Sequence, residues 1–251
     1  MAVDILELAE FYAAPDGARA RMQIVQKIDA LWPDPQAEPV MGFGYVSPYA
    51  DALWPDTDWH LCMPAQQGVL VEDRQAGTRA ALVDESLLPL RDGALGRAII
   101  IHGLEGANHS NALLSEIWRI LVPNGRAIFV VPNRTGMWAR RDATPFGAGR
   151  PFSRQQLRRQ LKAAGFSIAG IRPALMLPPA LPQFLVRLLA PAERLLALIL
   201  PQIGGVLVVD VVKQVPAPIR AKRRQNMRLG VPVRPAFSRG TLSRKKLEGR
   251  S

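Results

Sequence analysis

This sequence predicts an α/β fold: a doubly wound, mainly parallel seven-stranded sheet with a helical cap insertion. Seven strand-length runs rich in Val, Ile or Leu recur along the chain, each bounded by turn residues. Amphipathic stretches of helical period lie between several of them. Such Val-, Ile- and Leu-rich runs suit strands buried on both faces of a parallel sheet.

The elements follow in order. Ile5, Leu8, Ala9 and Tyr12, then Met22, Val25, Ile28 and Leu31, keep helical spacing around a break at Pro15-Asp16-Gly17, so residues 1–36 are an N-terminal helical segment. The strands are Val40 to Phe43, Trp59 to Met63, Arg79 to Val83, Ala98 to His102, Ala127 to Val131, Phe166 to Ile171 and Val206 to Val212. Between the fourth and fifth, Leu113, Leu114, Ile117 and Ile120 form one face of a helix that Asn111 caps and Pro123-Asn124-Gly125 ends. Ser153 opens a further helix with Leu157 and Leu161 four apart, and Gly165 closes it.

Residues 174–203 are nearly all apolar, yet Pro178, Pro179, Pro182, Pro191 and Pro201 interrupt them and Arg187, Glu193 and Arg194 lie inside. A membrane span needs ~20 largely uncharged residues, so this segment reads as a cap over the core. An interfacial membrane helix or a dimer surface is the alternative.

The net charge of +11 is not spread evenly. Residues 217–251 hold eleven Lys and Arg against the single acid Glu248, a surplus of +10, while residues 1–216 are close to neutral. The domain is therefore 1–216, followed by a basic tail that is expected to be disordered and to attract RNA or anionic lipid in a salt-dependent way. Cys62 is the only cysteine, which excludes an internal disulfide, and no Cys/His spacing suggests a metal. The acidic start, with Asp4 and Glu7, lacks a secretory signal pattern, so a reducing cytoplasm is expected.

Ligands of an open doubly wound sheet sit at the carboxyl ends of its strands. The first strand ends in Gly42-Phe43-Gly44-Tyr45, where absent side chains let backbone amides approach a ligand. Asp84 and Glu85 follow the third strand and suit hydrogen bonds from an amino group, and His102 and Gly103 follow the fourth. Glu105 and His109 join His102 in a polar cluster that offers a general base. The loop 132–153 mixes Arg134, Arg140, Arg141 and Arg150 with Trp138 and Phe146, a composition suited to an anionic or planar acceptor, nucleic acid included.

"LLSEIWRILVPNGRAIFVVPN", residues 113–133, and "LVDESLLPLRDGALGRAIIIHGLE", residues 82–105, resemble the corresponding segments of class I S-adenosylmethionine-dependent methyltransferases, of the type 11 methyltransferase domain. With the loop at Gly42 the resemblance covers residues 38–171. It implies a Rossmann-like fold and S-adenosylmethionine held by Gly42, Phe43, Gly44, Tyr45, Pro64, Asp84, Glu85, His102 and Gly103. Methyl transfer to an acceptor that the sequence does not name would then rest on positioning rather than on an assigned catalytic residue.

The chain also departs from the family's pattern. Val40 stands where the family has an acid, Val46 where it has a third glycine, Met63-Pro64 where an acid binds the ribose, and Leu95-Gly96 where it has Phe-Asp. Losing the ribose acid costs ~1.5–3 kcal/mol, or about 10- to 100-fold in affinity, with Gln66 or Gln67 as neutral substitutes. A catalytically inactive, methyltransferase-like protein that binds a partner through its tail and cap is the rival expectation. An NAD-dependent oxidoreductase is disfavoured, since the third glycine and the later ribose acid are missing.

Overall fold

The computed structural model describes residues 3–32, 38–69, 79–141 and 143–215. The basic segment 217–251 lies outside the described residues.

Two helices open the chain. In α1 (Ile5–Ala13) the Asp4 carboxylate accepts the N–H of Leu6, and in α2 (Pro15–Asp29) the proline occupies the first position, where its missing N–H costs nothing. The break is therefore one residue, Ala14, and Gly17 lies inside α2, where any Cβ would strike the Phe11 carbonyl. Then come β1 (Val40–Gly44), α3 (Ser47–Leu53), β2 (Trp59–Pro64), β3 (Arg79–Val83) and β4 (Leu95–Ile101). After them follow α4 (Ser110–Ile120), β5 (Leu121–Pro132), a 3-10 turn at Trp138–Arg140, α5 (Arg154–Ala163), β6 (Phe166–Ala174), α6 (Gln183–Ile199) and β7 (Val206–Lys213).

The seven strands form one sheet in the order β3-β2-β1-β4-β5-β7-β6. The first five are parallel, while β7 runs antiparallel to both β5 and β6, so the sheet is mixed. One face packs against α1, α2 and α3 through Leu8, Ile24, Ile28 and the stacked Trp32, Trp54 and Trp59. The other packs against Leu113, Leu114 and Ile117 of α4 and Leu157 and Leu161 of α5. Within the sheet, buried Asp210 is neutralised by Arg126 and receives the Trp32 indole N–H at 3.2 Å.

Two capping expectations divide. Ser153 accepts the Gln156 N–H at 3.2 Å and starts α5 as its position predicts. Asn111 does not start α4, which begins one residue earlier; the N–H groups of Asn108 and His109 go instead to the carboxylate of Glu85. A cap supplied from 23 to 24 residues away leaves no local signature.

Helix α6 is packed more loosely than a core helix. No described side chain of α6 is buried. Glu193 holds the helix in place: Oε2 accepts the Gln23 amide of α2 at 3.0 Å, and Oε1 accepts the Met176 and Leu177 N–H groups.

Candidate functional site

The strand order turns back between β1 and β4, and their carboxyl ends meet at Gly44 and Ile101. Gly44 has φ +85°, and a Cβ there would fall under 3.0 Å from the Ile101 carbonyl oxygen, which already accepts the Tyr45 N–H at 2.9 Å. Glycine is thus required by the approach of two backbones. At Gly42 a Cβ would meet Leu61 Cδ2 at 2.8 Å and Val46 Cβ at 3.0 Å. Val46, standing where the resemblance expects a third glycine, fills the space that Gly42 clears. Gly103 likewise makes room for the Phe43 ring, 2.5 Å from a Cβ placed on it.

Beyond β4 the chain enters a strained turn. His102 has φ +55°, unusual for a residue of its bulk, and its side chain is only 2% exposed. Its Nε2 lies 2.7 Å from the Tyr12 hydroxyl, its Nδ1 lies 3.1 Å from Glu105 Oε1, and the Tyr49 hydroxyl donates to Tyr12 at 2.7 Å. One set of protons satisfies all three contacts: Tyr49 O–H to Tyr12, Tyr12 O–H to Nε2, and Nδ1–H to the Glu105 carboxylate. Burial, reinforced by the neighbouring Tyr49, raises Tyr12 well above 10.0, and burial also raises Tyr49, so both phenols remain donors. Among the described residues, Glu105 Oε2 has no hydrogen-bond partner. Beside it lies a cavity of about 10 Å³ lined by Gln67, His102, Glu105 and Gly149, room for one water.

Aromatic rings pack around this polar chain. Tyr12 stacks on Tyr45 at 5.5 Å, Phe146 covers His102 at 4.9 Å, and Trp138 and Phe11 meet Phe146 edge-on. A nucleoside-sized ligand needs a pocket of roughly 300 Å³ or more. Among the described residues, the cavity beside His102 and Glu105 is far smaller than that.

The polar groups at the rim are also engaged within the protein. Gln66 and Gln67 donate their amides to Glu85 and to the His102 carbonyl respectively, so neither points free toward a ribose. Glu85 is buried under α4. Asp84 is exposed, accepts Ser86 N–H and O–H at 2.7 and 2.6 Å, and is held below its ordinary value of 3.8 by those bonds. Pro64 ends β2, with Met63 in the core beside it. The expected trio of His102, Glu105 and His109 separates: His109 is exposed and sits 3.6 Å from Glu85. In the loop 132–153, Trp138 and Phe146 are core residues rather than stacking platforms, while Arg134, Arg141 and Arg150 face solvent. Among the described residues, no group of three His, Cys, Asp or Glu side chains could hold a metal ion.

Tyr12 is the site residue that sequence reasoning passed over. It completes the apolar face of α1 and stands 90 residues from His102, so only the fold reveals the pairing.

A comparison with protein-family models gave no match, and neither did one with curated protein sequences. Solved structures do match. A SAM-dependent methyltransferase of Thermotoga maritima is 17% identical, with a TM-score of 0.60 over 84% of this chain and 96% of that one. The Haloferax volcanii methyltransferase in complex with the Trm112 activator is 16% identical, with a TM-score of 0.58 over 82% of this chain and 96% of its own. The [4+2]-cyclase SpnF is 18% identical, with a TM-score of 0.52 over 76% of this chain and 80% of its own. The fold is that of the class I, Rossmann-like methyltransferases. SpnF shows that other chemistry is carried on it too.

Proposed function

We propose that this chain is an S-adenosylmethionine-dependent methyltransferase of the type 11 kind. The observation that supports a functional site is the buried polar chain Tyr49–Tyr12–His102–Glu105 at the carboxyl ends of β1 and β4. Buried ionisable side chains and a non-glycine residue at positive φ cluster at functional sites, and here four such side chains, the positive-φ His102 among them, meet at the strand ends. When bound, S-adenosylmethionine would supply an activated methyl group; the chain's own contribution is to seat it and exclude water.

Seating requires the Tyr12–Tyr45 stack to part. Breaking that stack and the two hydrogen bonds of the Tyr12 hydroxyl costs about 1.5–4.5 kcal/mol, which weakens apparent affinity roughly 10- to 1000-fold. Loss of the ribose acid weakens it further. The expected complex is therefore weak in the native chain.

A second reading has its own support: Val46 and Leu61 occupy the hollow at Gly42, and both glutamine amides are engaged. On that reading the chain is a catalytically inactive relative that binds a partner. Calorimetric titration of S-adenosylmethionine and its demethylated product into the native chain and into Tyr12→Ala separates the two. The methyltransferase reading expects saturable heat in both, tightened about tenfold or more by Tyr12→Ala. No heat in either at millimolar ligand refutes it and leaves the second.

A further inference from the structure

Among the described residues, nothing covers the outer face of α6. Phe184, Leu188, Leu195, Leu198 and Ile199 are 57–80% exposed. At 3.6 residues per turn they fall in one stripe about 100° wide, with Pro191 at its centre. Exposed leucines scattered singly are ordinary, but a continuous apolar ridge along a helix marks a contact surface. The opposite face of α6 rests on the body only partly buried and is tethered by Glu193.

Cations flank this ridge. A cavity of about 680 Å³ opens between α2 and the start of α6, bringing Arg19, Arg21 and Arg187 together against one acid, Asp16. Arg19 is only 9% exposed, stacks over Trp138 at 5.3 Å and pairs Nη2 with Asp16 and the Pro178 carbonyl, while among the described residues its Nε and Nη1 have no hydrogen-bond partner. Apolar Met22, Val25 and Val186 complete the lining. A further surplus of +10 lies in residues 217–251.

We propose that α6 docks the protein onto an anionic bilayer surface, lying in the plane of the interface with its ridge among the acyl chains and the arginine cavity at headgroup level. The helix is about 26 Å long, and among the described residues no helix is long and apolar enough to cross a membrane, so the mode is lying on rather than spanning. Electrostatics selects this occupant over a second copy of the chain. Pairing two ridges would bring two arginine cavities together, each with three arginines against the one acid Asp16, whereas an anionic surface neutralises them. The inference does not depend on methyl transfer.

Flotation of the full chain with vesicles tests it. Phosphatidylcholine vesicles containing phosphatidylglycerol should carry the protein, phosphatidylcholine alone should carry far less, and raised salt should release it. Leu188→Glu with Leu198→Glu should lower the partition coefficient about tenfold or more, since each leucine would otherwise enter an apolar phase. Both positions are solvent-exposed, and an unchanged melting temperature verifies the fold. As an independent readout, Leu195→Cys carrying a polarity-sensitive dye should shift to the blue on anionic vesicles. Native Cys62 is buried and pushed up to about 11, so it escapes labelling. Equal flotation of the double variant and the native chain would overturn the proposal by assigning binding to 217–251 alone. So would a native dimer that the double variant disperses while neither form floats.

Discussion

Replacing Gly44 by alanine tests whether this glycine serves the sheet or a ligand. The added Cβ would fall inside 3.0 Å of the Ile101 carbonyl oxygen, at a backbone φ of +85°. The left-handed conformation costs about 1–2 kcal/mol for a residue with a side chain. Forcing backbone apart at an overpacked site adds about 1–3 kcal/mol. Neither neighbour can swing away, because both belong to central strands joined in register from Val40–Arg97 to Gly44–Ile101. The expected loss is about 2–5 kcal/mol, which for a domain of this size lowers the melting temperature by roughly 5–20 °C. Circular dichroism melts and urea titration of the ligand-free chain measure it. Gly42→Ala should cost less, since it meets the flexible end of Leu61 and the Val46 side chain rather than backbone, and Val46→Ala, which removes the Cγ1 contact, should offset part of that cost. A Gly44→Ala chain as stable as the native one would refute the packing account and return the glycine to ligand approach.

Two further substitutions probe the same crevice. Glu85→Gln should destabilise the ligand-free chain by about 1–3 kcal/mol in urea titration, because the carboxylate receives the N–H groups of Asn108 and His109; an unchanged midpoint would free Glu85 for a ligand role. Burial raises Tyr12 and Tyr49 above their ordinary value of 10.0, so the fold favours the neutral phenols. Their contribution is fully present below pH 10 and is lost as pH rises beyond it, by about 1.4 kcal/mol per pH unit for each tyrosine. Tyr49→Phe should flatten the alkaline fall in melting temperature by one tyrosine's share; an identical slope in both proteins would contradict the burial.

Most strands and helices are legible because each states its own burial locally; β3 is the exception, since it reads as a buried run but lies at the sheet edge with its first four residues exposed. Val206 to Val212 or Ala127 to Val131 can only be buried strands, and Ser153 carries its cap beside the helix it starts. The glycine loop was legible as a tight place, but not why it is tight: Gly44 answers to Ile101 and Gly42 to Leu61, neighbours that only strand pairing supplies. The polar cluster was half legible. His102 and Glu105 are three residues apart, whereas Tyr12 and Tyr49 join them from two other elements. His109 was grouped with them on proximity in sequence, yet the turn after His102 carries it outward to Glu85. Trp138 and Phe146 looked available because loop aromatics beside arginines suit a planar acceptor; the fold buries both over His102 and Arg19.

A crystal structure of the chain grown with the demethylated cofactor at saturating concentration measures the central claim directly. The account predicts ligand density between Gly44, Asp84 and His102, with the Tyr12 ring displaced from Tyr45 and the Tyr12–His102 hydrogen bond broken. Density elsewhere, or none, with the Tyr12–Tyr45 stack intact at 5.5 Å, would contradict it.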